Sequence, residues 1–308
     1  MRTGSVHLVT ESLSLRDAIQ LLDGLYPPGS AESWDAVGLV AGDPSQEVRR
    51  VLFAVDPVAA VVAEAESWGA DLLVTHHPLL LRAVHSVAAT TFKGSLVHRL
   101  VRSGVALHVA HTNADSAHDG VAESLAAAIG VRDLRPLVPA DQTLAGGAAL
   151  AGDTALAGGT GLGRVGTLEA DVTLRAFAQG VAAALPSTAH GVRVAGDLDA
   201  TVRTVAVVGG AGDSLFEAVR DADVDVYVTA DLRHHPASEA RERAEFEGRG
   251  PALVDVSHFA SEWPWLARAA ESLRSAAARR GATVETHVST LCTDPWSARF
   301  DSPEGDAP

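Results

Sequence analysis

The chain has 308 residues, enough for one large or two ordinary domains, and 47% of them are hydrophobic but only 5% aromatic, so the core must rest mainly on Ala, Val and Leu. A formal net charge of −15 provides no basic surface for phosphate tracking, which argues against nucleic-acid binding. Cys292 is the only cysteine, which excludes an intramolecular disulfide and a thiolate metal cluster within one chain.

Nothing in the sequence suggests a membrane segment. No stretch approaches 18 uninterrupted apolar residues, and polar residues interrupt the N-terminal MRTGSVHLVTESLSL. We therefore expect a cytoplasmic protein with no membrane partner. An anionic substrate would need metal ions or backbone amides to offset the negative field of the chain.

The first half of the chain alternates predicted helices and strands. Residues 11–24 carry apolar side chains at helical spacing and predict a first helix. A strand ending at Asp56 precedes a helix over 57–69 and a buried strand over 71–75. Further helices and strands follow in the same alternation, which predicts an α/β fold with mainly parallel sheets.

A Gly/Ala-rich stretch from about residue 140 to 166 separates two better-patterned regions. We predict a first α/β domain over 10–140 and a second over 160–290. Residues 291–308 are predicted to form a disordered tail.

The two halves share an internal similarity. The strand, helix and strand that end at residue 75 match a set that ends at residue 229, at a constant offset. Each half continues with a His-His-Pro triplet, at His76-His77-Pro78 and, after four extra residues, at His234-His235-Pro236. We interpret the halves as two similar domains; the alternative is the general likeness of any two β-α-β units.

Histidines and carboxylates follow the predicted strand ends. His76 and His77 come directly after a strand, and Pro78 prevents regular structure from continuing. His111 and Asp115 follow the next strand. Because functional groups of open parallel sheets gather at the carboxyl ends of strands, these side chains are expected to form a site.

His258 and Glu262 stand four residues apart at the start of a predicted helix, so they share one helix face and can hold a metal together. Imidazole and carboxylate donors suit zinc, iron or manganese, and a carboxylate can bridge two ions. We predict two divalent metal ions per chain at an incompletely coordinated, hydrolytic site. The predicted ligands are His76, His77, Asp115, His258 and Glu262.

Five blocks in order, ESWDAVGL, HHP, HTNAD, GRVG and SHFASE, resemble the GTP cyclohydrolase 1 type 2 homologues, the NIF-three-like dinuclear metal proteins. The resemblance runs from about residue 12 to 275. It implies the same five ligands, with one or both carboxylates bridging, together with two similar α/β domains and a ring-shaped homohexamer. It also implies a reaction in which metal-bound hydroxide attacks C8 of a guanine nucleotide and formate is released.

The chain departs from the family pattern at three positions. Ala36 stands where the family usually has Asn, and Ala230 and Ser257 stand where it usually has Gly. None of these changes removes a ligand, but they alter the surroundings that fit a substrate. The gap from 131 to 160 is too short for the extra domain that some relatives carry.

Other residues have more than one interpretation. His111 could orient a ligand or donate a proton as a catalytic residue, or it could stabilise its loop by a hydrogen bond. His234 and His235 could reach the site or be a solvated relic of the repeat. The turn at 209–214 could cradle phosphate or be a plain tight turn. Trp34 is expected to be a packing residue rather than a stacking platform.

Two functions from different classes fit these observations. The first is a metal-dependent hydrolase acting on a small-molecule substrate such as a nucleotide. The alternative is a non-catalytic hexameric protein that binds, stores or delivers divalent metal or presents a regulatory surface. The alternative predicts tight metal binding without turnover.

Overall fold

The computed structural model describes residues 12–140 and 159–300, which form two compact units. Within these residues the first unit contains 12–120 and Trp265–Leu291, and the second contains the rest. The predicted domain ranges of 10–140 and 160–290 stay a prediction. The last segment of the first unit, Trp265–Leu291, joins it from a point far along the chain.

The helices and strands follow one another in the alternation that the sequence predicts. In residues 12–140 they are β1 (Leu13–Ser14), α1 (Leu15–Leu25), β2 (Gly38–Ala41), β3 (Glu47–Val48), β4 (Arg50–Ala54), α2 (Ala59–Trp68), β5 (Leu72–Thr75), α3 (Phe92–Ser103), β6 (Ala106–Val109), α4 (Thr112–Ser116), α5 (Val121–Ala128) and β7 (Arg132–Pro139). In residues 159–300 they are β8 (Gly161–Thr173), α6 (Leu174–Ala184), β9 (Arg193–Ala195), β10 (Thr201–Ala211), α7 (Phe216–Asp221), β11 (Val226–Ala230), α8 (His234–Glu247), β12 (Ala252–Val256), α9 (His258–Arg279) and β13 (Glu285–Val288).

The first unit is built on a five-stranded sheet in the order β13-β4-β5-β6-β2. All neighbouring strands are parallel except β2, which pairs antiparallel with β6 at the edge. Leu52, Leu73 and Leu107 from the central strands pack with side chains of α2 and α3 in a buried core. The carboxyl ends of β5 and β6 lead directly to His76 and His111, so the sheet places these histidines at one edge.

The second unit is built on a six-stranded sheet in the order β7-β8-β10-β11-β12-β9. Strands β10, β11 and β12 are parallel, and the remaining pairings are antiparallel. Val205, Val228 and Val254 lie in its buried core. Its parallel part ends next to Gly210 on β10 and His258 after β12.

Both sheets contain the same arrangement of four strands. In each, three parallel strands are followed at one edge by an antiparallel strand that comes earlier in the chain segment, β2 in the first sheet and β9 in the second. This shared topology supports the internal duplication. The α/β fold class with parallel strands is confirmed, and the second sheet has mixed pairing.

Two local boundaries differ from the predictions. Helix α1 begins at Leu15 because Ser14 accepts a hydrogen bond from the Asp17 N–H and donates its own backbone N–H to the Asp17 carboxylate. Residues 161–166 belong to strand β8 rather than to a linker. The parallel strands β10, β11 and β12 alone would leave one edge of β10 unpaired, and β8 pairs with that edge.

Two other predicted features lie partly beyond the described residues. Residues 141–158 of the Gly/Ala-rich stretch and 301–308 of the predicted tail are outside them. Residues 291–300 of that tail are described and contain no helix or strand. Among the helices in the described ranges, none combines the length and apolarity that crossing a membrane requires.

Candidate metal centre

The first donor group consists of His76, His77, His111 and Asp115, all in the first unit. One ligand atom from each of the three histidines lies within 4.8 Å of the others. His76 Nε2 is also 3.6 Å from the Asp115 Oδ1 atom. Strands β5 and β6 deliver these residues side by side because they are parallel neighbours in register. The structure therefore brings together the three predicted ligands of the first half, His76, His77 and Asp115. The candidate catalytic residue His111 lies beside them.

Each histidine of this group is fixed through its Nδ1 atom. The hydrogen bonds run from His76 Nδ1 to the Ala110 carbonyl oxygen (2.9 Å), from His77 Nδ1 to Asp56 Oδ1 (2.7 Å) and from His111 Nδ1 to Asp35 Oδ1 (2.9 Å). A carbonyl or carboxylate oxygen accepts, so Nδ1 donates and the neutral ring keeps its lone pair on Nε2. Metal-binding histidines show this arrangement, because the partner fixes the tautomer and raises the basicity of the ligand.

Burial and neighbouring charges keep His111 in the form that a ligand or a base requires. Burial lowers the pKa of His111 below its usual value, and the nearby His76 lowers it further. Burial raises the pKa of Asp35, but hydrogen bonds from His111 and Thr112 outweigh burial and leave that pKa lowered. At neutral pH a neutral imidazole therefore faces an ionised carboxylate.

An aromatic pair backs this group. The ring of Trp265 lies 5.5 Å from the ring of His76, and its indole N–H donates to the Tyr26 hydroxyl at 3.1 Å. His76, Trp265 and Tyr26 are all nearly inaccessible to solvent. The buried side chains of Trp265 and Tyr26 consequently exclude water from one side of His76.

The second donor group consists of His258 and Glu262, in the second unit. His258 Nε2 is 2.9 Å from Glu262 Oε1, one helical turn away on α9. His258 Nδ1 bonds Asp231 Oδ2 at 2.7 Å, so this imidazole too is fixed by an oxygen partner. The carboxylate of Glu262 is buried. The predicted same-face placement of the two ligands is observed.

A glycine leaves room around these donor atoms. Gly210 has a φ of +68°, and a Cβ added there would lie 2.7 Å from Glu262 Oε1 and 3.3 Å from His258 Nε2. Its backbone N–H donates to the Ser261 hydroxyl at 2.9 Å, which holds the turn against α9. A side chain at 210 would fill the space beside both ligand atoms, so this part of the 209–214 turn fits a bound ion.

A proton occupies the position between the two ligands when metal is absent. The adjacent Glu262 carboxylate, opposed by burial and assisted by Asp231, raises the pKa of His258 to about 11. Metal-free protein at neutral pH therefore carries an imidazolium at 258 with a carboxylate on either side. A metal ligand must be neutral imidazole, so binding displaces this proton.

We expect metal affinity to increase with pH because of this proton. Below the raised pKa of His258, the apparent affinity should rise about tenfold per pH unit for the one proton released. Calorimetric titration of zinc into metal-free protein, in two buffers of different ionisation enthalpy, measures the protons released. A His258→Ala variant should release about one fewer. Equal proton release by the two proteins would contradict the assignment.

The carboxylates that position the histidines were not among the predicted site residues. Asp56, Asp35 and Asp231 each hold one ring nitrogen, and each comes from a loop distant in sequence from its histidine. The sequence carried a weak signal for two of them, since Asp56 is the last residue of a predicted strand and Asp231 comes two residues after another. Gly210 could have been found from the Gly-rich turn.

His234 and His235 do not occupy the positions that repeat His76 and His77. At the constant offset of the repeat, Ala230 and Asp231 follow β11 there, while His234 and His235 begin helix α8 and are exposed. The second His-His pair comes after four extra residues, and its match to the ligand pair stays a prediction. Asp231 serves instead by holding His258.

Comparisons with known proteins agree on one family. Residues 13–295 match the family Duf34/NIF3 (NGG1p interacting factor 3). Two proteins named GTP cyclohydrolase 1 type 2 homolog are similar to this chain. The one from Streptomyces coelicolor is 52% identical over 94% of this chain and 95% of its own length, and the one from Mycobacterium tuberculosis is 41% identical over 93% and 97%. The crystal structure of a Staphylococcus aureus hypothetical protein, 27% identical, covers 94% of this chain and all of its own with a TM-score of 0.80.

Proposed function

This chain belongs to the Duf34/NIF3 family, and from that premise we propose that it is a dinuclear divalent-metal protein that hydrolyses a small-molecule substrate. One observation carries the proposal. Four imidazoles, at 76, 77, 111 and 258, each have Nδ1 held by an oxygen partner, which is the orientation that metal-binding histidines take. Structural histidines have no need of this common orientation.

We assign the metal ions to imidazole and carboxylate side chains. Zinc, iron or manganese matches the imidazole and carboxylate donors. When bound, such an ion polarises a substrate oxygen and lowers the pKa of a coordinated water toward ~7. The proposed ligands are His76, His77, Asp115, His258 and Glu262.

The remaining groups of the chain move protons and shape the site. His111 is proposed as the acid–base residue, because Asp35 fixes its ring and its lowered pKa leaves it neutral at physiological pH. Trp265 keeps water away from one side of His76. Gly210 leaves the space beside Glu262 and His258 that a Cβ would fill.

The reaction is proposed by likeness to relatives named GTP cyclohydrolase 1 type 2 homolog. Full-length protein loaded with zinc, manganese or iron should release formate from GTP. A His111→Gln variant should slow that release by roughly 10²- to 10⁴-fold, the usual contribution of a general acid or base. Tight metal binding without formate release under any of the three metals would favour the non-catalytic, metal-binding alternative.

We also propose the cytoplasmic location and the homohexamer that the resemblance implies. The loop before α3 exposes Leu81, Val84 and Val87, and Phe92 at the start of α3 is 73% exposed. Several large apolar side chains exposed on one short segment are consistent with association with another protein surface. A native mass of a single chain in solution would contradict the hexamer.

A further inference from the structure

We infer that Trp34 is the stacking platform for a planar heterocyclic ring of the substrate, such as a purine base, beside the first donor group. The inference rests on the proposed function, because it assigns the substrate class of the same site. It departs from the sequence-based expectation that Trp34 is a packing residue.

Trp34 is an exposed aromatic residue close to the candidate ligands. Its exposed fraction is 58%, so more than half of its surface is open to solvent. Its ring lies 6.0 Å from that of His111, with an interplanar angle of 79°. His111 in turn lies among the donor atoms of His76 and His77. The indole of Trp34 is therefore both accessible to solvent and next to a histidine of the first donor group.

The loop around Trp34 is held rigidly even though the indole is not buried. The neighbouring Asp35 accepts hydrogen bonds from the Thr112 N–H at 3.0 Å and its hydroxyl at 2.5 Å, as well as from His111. The Glu32 N–H donates to the Thr112 hydroxyl at 2.9 Å. These bonds fix the loop to the start of α4. A fixed aromatic ring loses little conformational entropy when a ligand stacks on it.

The chemistry of the surroundings selects the occupant. Indole binds planar rings by offset stacking, and that contact tolerates any base because every base has a π-face. A metal ion held by the first donor group would have open positions for oxygen atoms of the same molecule. A substrate that contacts both the indole and the metal ion must combine a planar ring with anionic or carbonyl oxygens, and a nucleotide does so. An aliphatic phosphate or an amide would leave the indole exposed.

Binding of nucleotides to metal-replete, full-length protein tests this inference. The probes are GTP, ATP and inorganic triphosphate, and the variants are Trp34→Ala, Trp34→Phe and the control Trp296→Ala, whose indole is 69% exposed. Trp34→Ala should weaken both nucleotides about 10- to 100-fold, as expected for loss of one stacked base. Trp34→Phe should retain most of the affinity. Triphosphate binding and metal content should not change in either variant.

Several outcomes would overturn the inference. They are equal losses for nucleotide and triphosphate, nucleotide affinity that Trp34→Ala leaves unchanged, no binding of either nucleotide by metal-replete wild type, or a Trp34→Ala variant whose main change is its native mass. The last would assign Trp34 to an interface between copies of the chain. Failure of the proposed function is recognised separately, because it appears as wild-type protein that binds no divalent metal, or that binds metal and releases no formate from GTP.

Discussion

Replacing Glu262 with glutamine is expected to remove most of the bound divalent metal. Glutamine keeps the size of the side chain but lacks the charge, and a neutral amide oxygen is a poor partner for zinc, iron or manganese. The position is buried and lies 2.9 Å from His258, the proposed second ligand of the same ion. Wild type should hold about two ions per chain and the variant about one or none, with the affinity lowered more than ~100-fold.

Metal analysis of the purified proteins measures this loss, and thermal unfolding gives a second readout. Zinc at a hundred times its dissociation constant should stabilise the wild type by about 2.7 kcal/mol, and the variant much less. Glu271→Gln is the matched control, because it makes the same charge change on the exposed side of the same helix. Equal metal content in wild type and Glu262→Gln would refute the site.

The second large effect concerns stability. Replacing Glu123 with glutamine is expected to lower the free energy of unfolding by about 3 to 5 kcal/mol. Its Oε1 accepts from Arg164 Nε at 2.9 Å, and the guanidinium is fully buried. Arg164 also donates to the carbonyl oxygens of Gly161 and Gly163, both at 2.7 Å. Removing the carboxylate takes a counter-charge from a guanidinium that cannot reach water.

Urea unfolding at neutral pH, with the slopes compared, checks this loss. The control is Glu169→Gln, because the Glu169 pair with Arg132 is exposed on both sides; we expect it to cost less than about 1 kcal/mol. The double variant Glu123→Leu with Arg164→Met should recover most of the stability, since an apolar replacement of a buried pair is often neutral. A single Glu123→Gln variant as stable as the control would mean that the pair contributes nothing.

The Arg164 pair explains the GRVG segment, residues 163–166, in physical terms. This segment is one of the five blocks that resemble the family pattern. In the structure the glycines of this segment let strand β8 lie close to β7 and β10, since a Cβ at Gly163 or Gly166 would come within 2.8 Å of neighbouring side chains. The arginine between them closes the buried ion pair.

Some features could be predicted because they depend on short stretches of chain. The alternation of apolar runs indicated the α/β class, and the position of His76 and His77 directly after a strand indicated a site at the carboxyl edge. The four-residue spacing of His258 and Glu262 predicted a shared helix face, and their contact has that geometry. Such patterns involve neighbours within one or two turns or strands, where backbone geometry alone fixes which side chains share a face.

Tertiary structure alone decided which groups hold the candidate ligand histidines. Asp35 reaches His111 from 76 residues away, and Asp231 reaches His258 from 27 residues away, distances over which no periodicity connects two side chains. The exposure of Trp34 and the pairing of β13 with β4 also depend on packing between distant segments. The sequence by itself determined the kinds of ligand and the strand ends that carry them. The tautomers of the histidines, the carboxylates that hold them and the aromatic ring beside them were decided only by the folded chain. The reason is that hydrogen bonds and burial depend on which surfaces meet in space.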